Sequence, residues 1–363
     1  MPGESVPVYL QSRFDTKTAK LYSYAWIVYG FLYIPIQLKT VSSIIQIVLP
    51  NINFMAAMII GVTVAVVYTG FSGMKGASAV GRIVCIGIYI LLIIFVVTTL
   101  PKFEGFSGLL AKLPQGYDSM KNMPLHRIIA WIFGGCISTA VMQSVLQPLL
   151  AAKTPQAART GSILGYLIAA PICFFTATCG MLAKASGADL GDGTSAFAYA
   201  IKTFTSPFFG GIIFAFVTMI IAATMATMML ATGTIITNVY KTDINPNADD
   251  KKVLSISKKI TFIFAYLTLI PALFIPSRSL TNLFLTLQHV AAAPISFSIL
   301  VGLTWKKVTK QGAFWSILCG MLVGIAWMVL RLSDKLEAIY PVVIVTYGVG
   351  IIVSLLTYKE GGK

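Results

Sequence analysis

The sequence predicts an all-α, polytopic membrane protein of about ten transmembrane helices. Three observations predict it. Hydrophobic residues make up 57% of the 363 residues and charged residues only 11%, where soluble domains carry about 45–50% and about 25%. Ten stretches reach the roughly 20 mainly apolar residues that a hydrocarbon core of about 30 Å requires of a helix. The basic residues concentrate in alternate loops between those stretches, as the positive-inside rule demands. A water-soluble fold of this length is excluded. So are a disordered chain, which needs much charge and few apolar residues, and a disulfide scaffold, for which five separated cysteines are too few.

Taken in order, the expected spans run over residues 22–49, 53–71, 79–100, 128–151, 161–184, 208–237, 259–277, 280–304, 313–331 and 336–357. They form one transporter-sized domain, 1–363. Residues 1–21 are polar and have no apolar run of the kind a cleavable signal peptide carries. With both termini cytoplasmic, the inner segments collect seventeen Lys and Arg, and the outer segments nine. Lys39 falls inside the first span. That bias assigns 1–21 and 240–258 to the cytoplasm and the loops 101–127 and 185–207 to the outside, with the cell membrane as the location. It also accounts for the net charge of +15 without nucleic acid, because no basic stripe interleaved with aromatics is present.

Polar residues within the spans are the candidate functional groups, since lipid cannot satisfy them. Gly134, Gly135, Ser138 and Thr139 place two glycines and two hydroxyls near the middle of the fourth span. A helix broken there would free backbone groups for a ligand; close packing through small residues reads the same pattern differently. In the sixth span Thr224, Thr227 and Thr234 lie three and seven residues apart and share one face. Their oxygens suit a hard cation, although threonine in apolar helices also bonds back to its own backbone. Gln37, Lys39, Gln143, Gln147, Gln288 and His289 each need a partner or a cavity. Lys39 is the foremost functional charge, and His289 is the one group available for proton coupling. An enzyme is not expected. There is no Gly-x-Ser-x-Gly elbow, phosphate loop or His-Glu-x-x-His motif, and the chain has two histidines.

Several segments in order resemble the sodium:solute symporter family. Val6-Pro7-Val8-Tyr9-Leu10-Gln11-Ser12-Arg13-Phe14 is similar to its Pro-Glu-Tyr-Leu-x-x-Arg-Phe element, and Tyr68 to Ala77 to its Tyr-Thr-x-x-Gly-Gly-Leu-Lys-Ala turn. Gln143 to Lys153, followed by Ala157-Ala158-Arg159, resembles its Gln-x-x-x-Gln-Arg-x-x-Ala-Ala-Lys signature. Thr237 to Lys241 and Trp305 to Ala313 complete the series.

The resemblance implies an incomplete LeuT-type bundle of inverted repeats, with ion and substrate near the midplane beside broken helices. It implies a symporter of a small organic solute driven by sodium as coupling ion, with no other cofactor. Solute contacts are expected from Gly134, Gly135, Ser138, Thr139, Gln143, Gln37 and Gln288. Sodium is expected at Thr224, with Thr227 second and Ala223 through its backbone oxygen. In the family the first element follows three membrane helices. This chain begins at that element, so it is expected to be truncated or completed by a separate chain. Other departures are Val80-Gly81-Arg82-Ile83-Val84 after the glycine turn, Met142 before the first Gln and Pro148 after the second. They motivate a second reading, a membrane scaffold or sensor that keeps the frame without transporting.

Overall fold

The computed structural model describes residues 5–117, 123–190, 195–245, 247, 249–276 and 280–359, without the side chains at 70–80, 250–252, 254 and 334. All regular structure among them is helical. Eight helices are long and apolar enough to cross a membrane, and a ninth span is a bent pair. The shorter apolar stretch Phe54–Thr69 occupies the place of the second expected span.

The amino-terminal segment is folded. Helix α1 (Val6–Arg13) buries Val6, Pro7, Tyr9 and Leu10, and α2 (Thr16–Val48) starts six residues before the expected boundary, where the Asp15 carboxylate accepts from the Thr18 amide at 2.8 Å. That satisfies one of the open donors of a helix start. The face of α2 carrying Tyr22, Trp26, Tyr29 and Tyr33 is buried, with neighbouring ring centroids 5.2–6.1 Å apart.

The second and third expected spans are carried by one helix, α3 (Phe54–Thr99), where a turn was expected between them. No proline lies in this stretch, and glycine weakens a helix by about 1 kcal/mol without forbidding it. The side chains of the glycine element at 70–77 lie outside the described residues.

The fourth span is broken. Helix α4 (Leu125–Ala140) meets α5 (Gln143–Leu150) at a bend of 46°. The break falls at Val141 and Met142 and not at the glycine pair, through which α4 runs on. Helix α6 (Pro155–Ala185) follows, then α7 (Pro207–Val239), which packs along α2 and α3 and ends in one π turn, Tyr240–Ile244. The seventh span is α8 (Asp250–Leu267) with α9 (Leu269–Phe274).

The eighth span is irregular throughout. Helix α10 (Leu280–Leu287) gives way to π segments at Gln288–Ala292 and Phe297–Val301 around a 3-10 turn, Ala293–Ile295, that contains Pro294. Proline supplies no amide to the ladder, and such local re-registering satisfies the carbonyls it leaves. Helices α11 (Lys310–Val329) and α12 (Ile339–Thr357) form the closing hairpin. They approach closely because Gly312 and Gly320 lie against Ser354 and Thr346, the small-residue packing that substitutes for hydrophobic drive inside lipid.

Candidate functional site

A cavity of about 590 Å³ opens beside the break. Thr139 and Met142 at the end of α4, Ser144, Gln147 and Pro148 of α5, and Ala223, Thr224, Thr227 and Met228 of α7 form facing walls. Tyr33 of α2, Tyr68 and Cys85 of α3, and Gln288 of the eighth span close it round. Among the described lining residues none is charged. Ligand recognition there falls to hydroxyls, amides and ring faces.

The hydroxyls of α7 have a defined polarity. Thr224 donates to the Ile220 carbonyl at 3.0 Å, and Thr227 to the Ala223 carbonyl at 2.9 Å. Such back-bonding is the ordinary fate of threonine in an apolar helix. It also spends the hydroxyl proton on the helix and leaves oxygen lone pairs as the group presented to the cavity, the requirement for a hard cation. The Ala223 carbonyl accepts Thr227's proton within an unbroken stretch of α7, so Ala223 enters the cavity as wall and its oxygen is engaged in the helix.

Beyond the break, one helical carbonyl lacks its usual donor. Pro148 has no N–H, so no amide at that position donates to the Ser144 carbonyl four residues earlier. Ser144 lines the cavity. Met142 is extended at φ −69°, ψ 132°, which turns the chain and lets α5 start in a new direction.

Five of the ten residues singled out in the sequence line the cavity: Thr139, Ala223, Thr224, Thr227 and Gln288. The Gln288 amide also points at the Met142 sulfur, 3.5 Å away. Ser138 is fully buried behind the break, and its hydroxyl has no protein partner. Gln143 is likewise fully buried; its Oε1 accepts from the Val6 amide at 2.9 Å, so it holds α1.

Ser138 and Gln143 are thus outside the cavity lining, and so are three further expected contacts. Gly134 packs against the imidazole of buried His289. Gly135 has open space where a side chain would start, because successive helical residues are turned about 100° from one another. Gln37 sits behind the wall and donates to the Tyr33 hydroxyl at 3.1 Å. Lys39 is buried, with its ammonium over the Phe54 ring at 5.5 Å; it is also outside the lining. Tyr33, Tyr68, Cys85 and Ser144 were not anticipated as wall residues. For Tyr33 a signal existed in the 22, 26, 29, 33 spacing of aromatics, which marks one face of a helix.

A sequence model of the sodium:solute symporter family matches residues 5–320. The chain belongs to the sodium:solute symporter family. Curated relatives include the uncharacterized symporter YodF of Bacillus subtilis (strain 168), 25% identical over 336 residues, covering 87% of this chain and 65% of the relative. Sodium/glucose cotransporter 4 of Danio rerio is 23% identical over 210 residues, covering 52% and 32%. The chain thus spans between about a third and about two thirds of the length of these two relatives. A solved structure of a Na+-coupled sialic acid symporter, in a substrate-bound outward-open state, aligns with 98% of this chain and 78% of its own. The TM-score is 0.77 at 15% identity. The fold is therefore LeuT-like, and family and fold are those of transporters rather than enzymes. With its apolar helices this makes a multi-pass membrane protein.

Proposed function

We propose that the chain carries out sodium-coupled symport of a small organic solute, with sodium held on the cavity face of α7 and the solute between α7 and the break. The observation that carries this reading is the pair Thr224 and Thr227. Both residues line the cavity, and both hydroxyls already donate to their own helix, which leaves oxygen lone pairs for a cation. Ser144, two residues past Met142, adds a carbonyl that Pro148 cannot serve. The solute faces Thr139, Gln147, Gln288, Tyr33 and Tyr68, a set that supports hydrogen bonding and ring stacking over ion pairing. Ser138 and Gln143 support the wall from behind. The loop charges support both termini in the cytoplasm and residence in the cell membrane.

The test is uptake into proteoliposomes containing the purified full chain, with glucose, mannose, myo-inositol and sialic acid as labelled probes. An inward sodium gradient is expected to accumulate at least one probe, and a potassium gradient none. Thr224→Val is expected to raise the sodium concentration for half-maximal uptake about tenfold, the effect of one lost ligand worth about 1.4 kcal/mol. Identical uptake of every probe with either cation would overturn the reading.

A further inference from the structure

Helix α1 is too short to span lipid, yet it is tied at both ends to transmembrane elements remote in sequence. At its start the usual local cap is missing. Ser5, the N-cap residue, makes no side-chain bond to its own helix; its hydroxyl accepts from the Asn238 amide at the end of α7, 3.1 Å away. The first helical amide, that of Val6, donates to Gln143 Oε1. Gln143 is the first residue of α5 after the break, and its neighbours Met142 and Ser144 both line the cavity. At the other end Arg13 donates through Nε to the Gly302 carbonyl at 3.3 Å and through Nη2 to the Lys306 carbonyl at 3.4 Å. The rings of Phe14 and Tyr9 lie against Gly302, where a Cβ would come within 2.9 Å and 3.4 Å of them.

One eight-residue helix therefore clasps the broken span, the end of α7 and the end of the eighth span. We propose that α1 is a strap that closes one mouth of the cavity, latched at Gln143 and anchored at Arg13. When the break straightens or α5 tilts, Gln143 withdraws from the Val6 amide and the strap lifts away from the broken span.

The closed strap is only weakly favoured. Tyr9 Oη and Gln143 Nε2 are buried in α1 and its latch without a hydrogen-bond partner, as are Thr18 Oγ1 and Tyr22 Oη on the adjoining first turns of α2. Buried orphan groups cost free energy that hydration on opening removes. This offsets part of the latch bonds and keeps the open state accessible as a minor population, as a gate requires.

Access to the cavity tests this without any solute, so its outcome is separate from that of the uptake experiment. Cys85 lines the cavity and serves as the reporter once Cys136, Cys173 and Cys319 are replaced by Ser. A membrane-impermeant maleimide is applied to either face of vesicles holding the full chain. Lys17→Cys, exposed near the start of α2, marks the face that carries α1. In the parent, labelling of Cys85 from that face is expected to be slow. Gln143→Leu, which removes the acceptor, is expected to speed it about fivefold, the effect of losing one net hydrogen bond on a two-state population. Arg13→Ala acts from the far end of the strap, away from the cavity, and is expected to do the same. The double variant should gain less than the product of the two, since both release one element. Should Gln143→Leu fail to fold, Arg13→Ala alone decides. Unchanged labelling in Arg13→Ala, or parent labelling from the strap's face as fast as that of Lys17→Cys, would overturn the proposal.

Discussion

At the scale of single residues, the glycine pair of α4 separates packing from exposure within one turn. A methyl group added at Gly134 would run into the His289 ring, whereas the same methyl at Gly135 meets nothing within 4 Å. Gly134→Ala is therefore expected to destabilise by about 1–3 kcal/mol, the cost of overpacking. Gly135→Ala should be neutral or stabilising by up to about 1 kcal/mol through helix propensity. Thermal unfolding of the two variants in detergent checks this, and equal shifts would show that the imidazole is not the obstacle. The sequence placed these residues in the right span and could not rank them. Which of two adjacent glycines faces a neighbour depends on a residue 155 positions away, and no local spacing encodes that. Thr224 and Thr227 were more legible, because helical periodicity alone puts them on one face.

At the scale of elements, the fourth span combines a predicted break with an unpredicted location. The glycines suggested the place, yet the helix tolerates them and yields at Val141 and Met142, a few residues before Pro148. Pro148→Ala would restore an amide to the Ser144 carbonyl. It is expected to raise the unfolding temperature, because a proline inside a helix costs about 3 kcal/mol, and to lower sodium-driven uptake about tenfold by engaging that carbonyl in the helix, an effect of about 1.4 kcal/mol. A variant both more stable and fully active would show that the freed carbonyl plays no part. The amino-terminal segment taught a different lesson. Residues 1–21 were expected only as a polar segment, and the tertiary packing of the apolar residues of α1 is something composition does not reveal.

At the scale of the whole molecule, hydropathy located the eight span-length helices and the bent pair found among the described residues, because lipid imposes a length and a polarity on every crossing; it separated the second and third stretches, which one helix carries. The cavity was less legible. Its walls come from α2, α3, the broken span, α7 and the eighth span, and wall residues such as Tyr33 and Cys85 carry no chemistry that distinguishes them from core. The central claim is that this shared cavity holds sodium on the oxygens of α7. A ligand that binds the folded state raises its stability with concentration. The most direct measurement is the unfolding temperature of the purified full chain in sodium chloride and in potassium chloride at equal ionic strength, beside Thr224→Val. The account predicts a saturable rise with sodium alone that is reduced in the variant. Superimposable curves in the two salts, or a sodium effect untouched by the substitution, would contradict it.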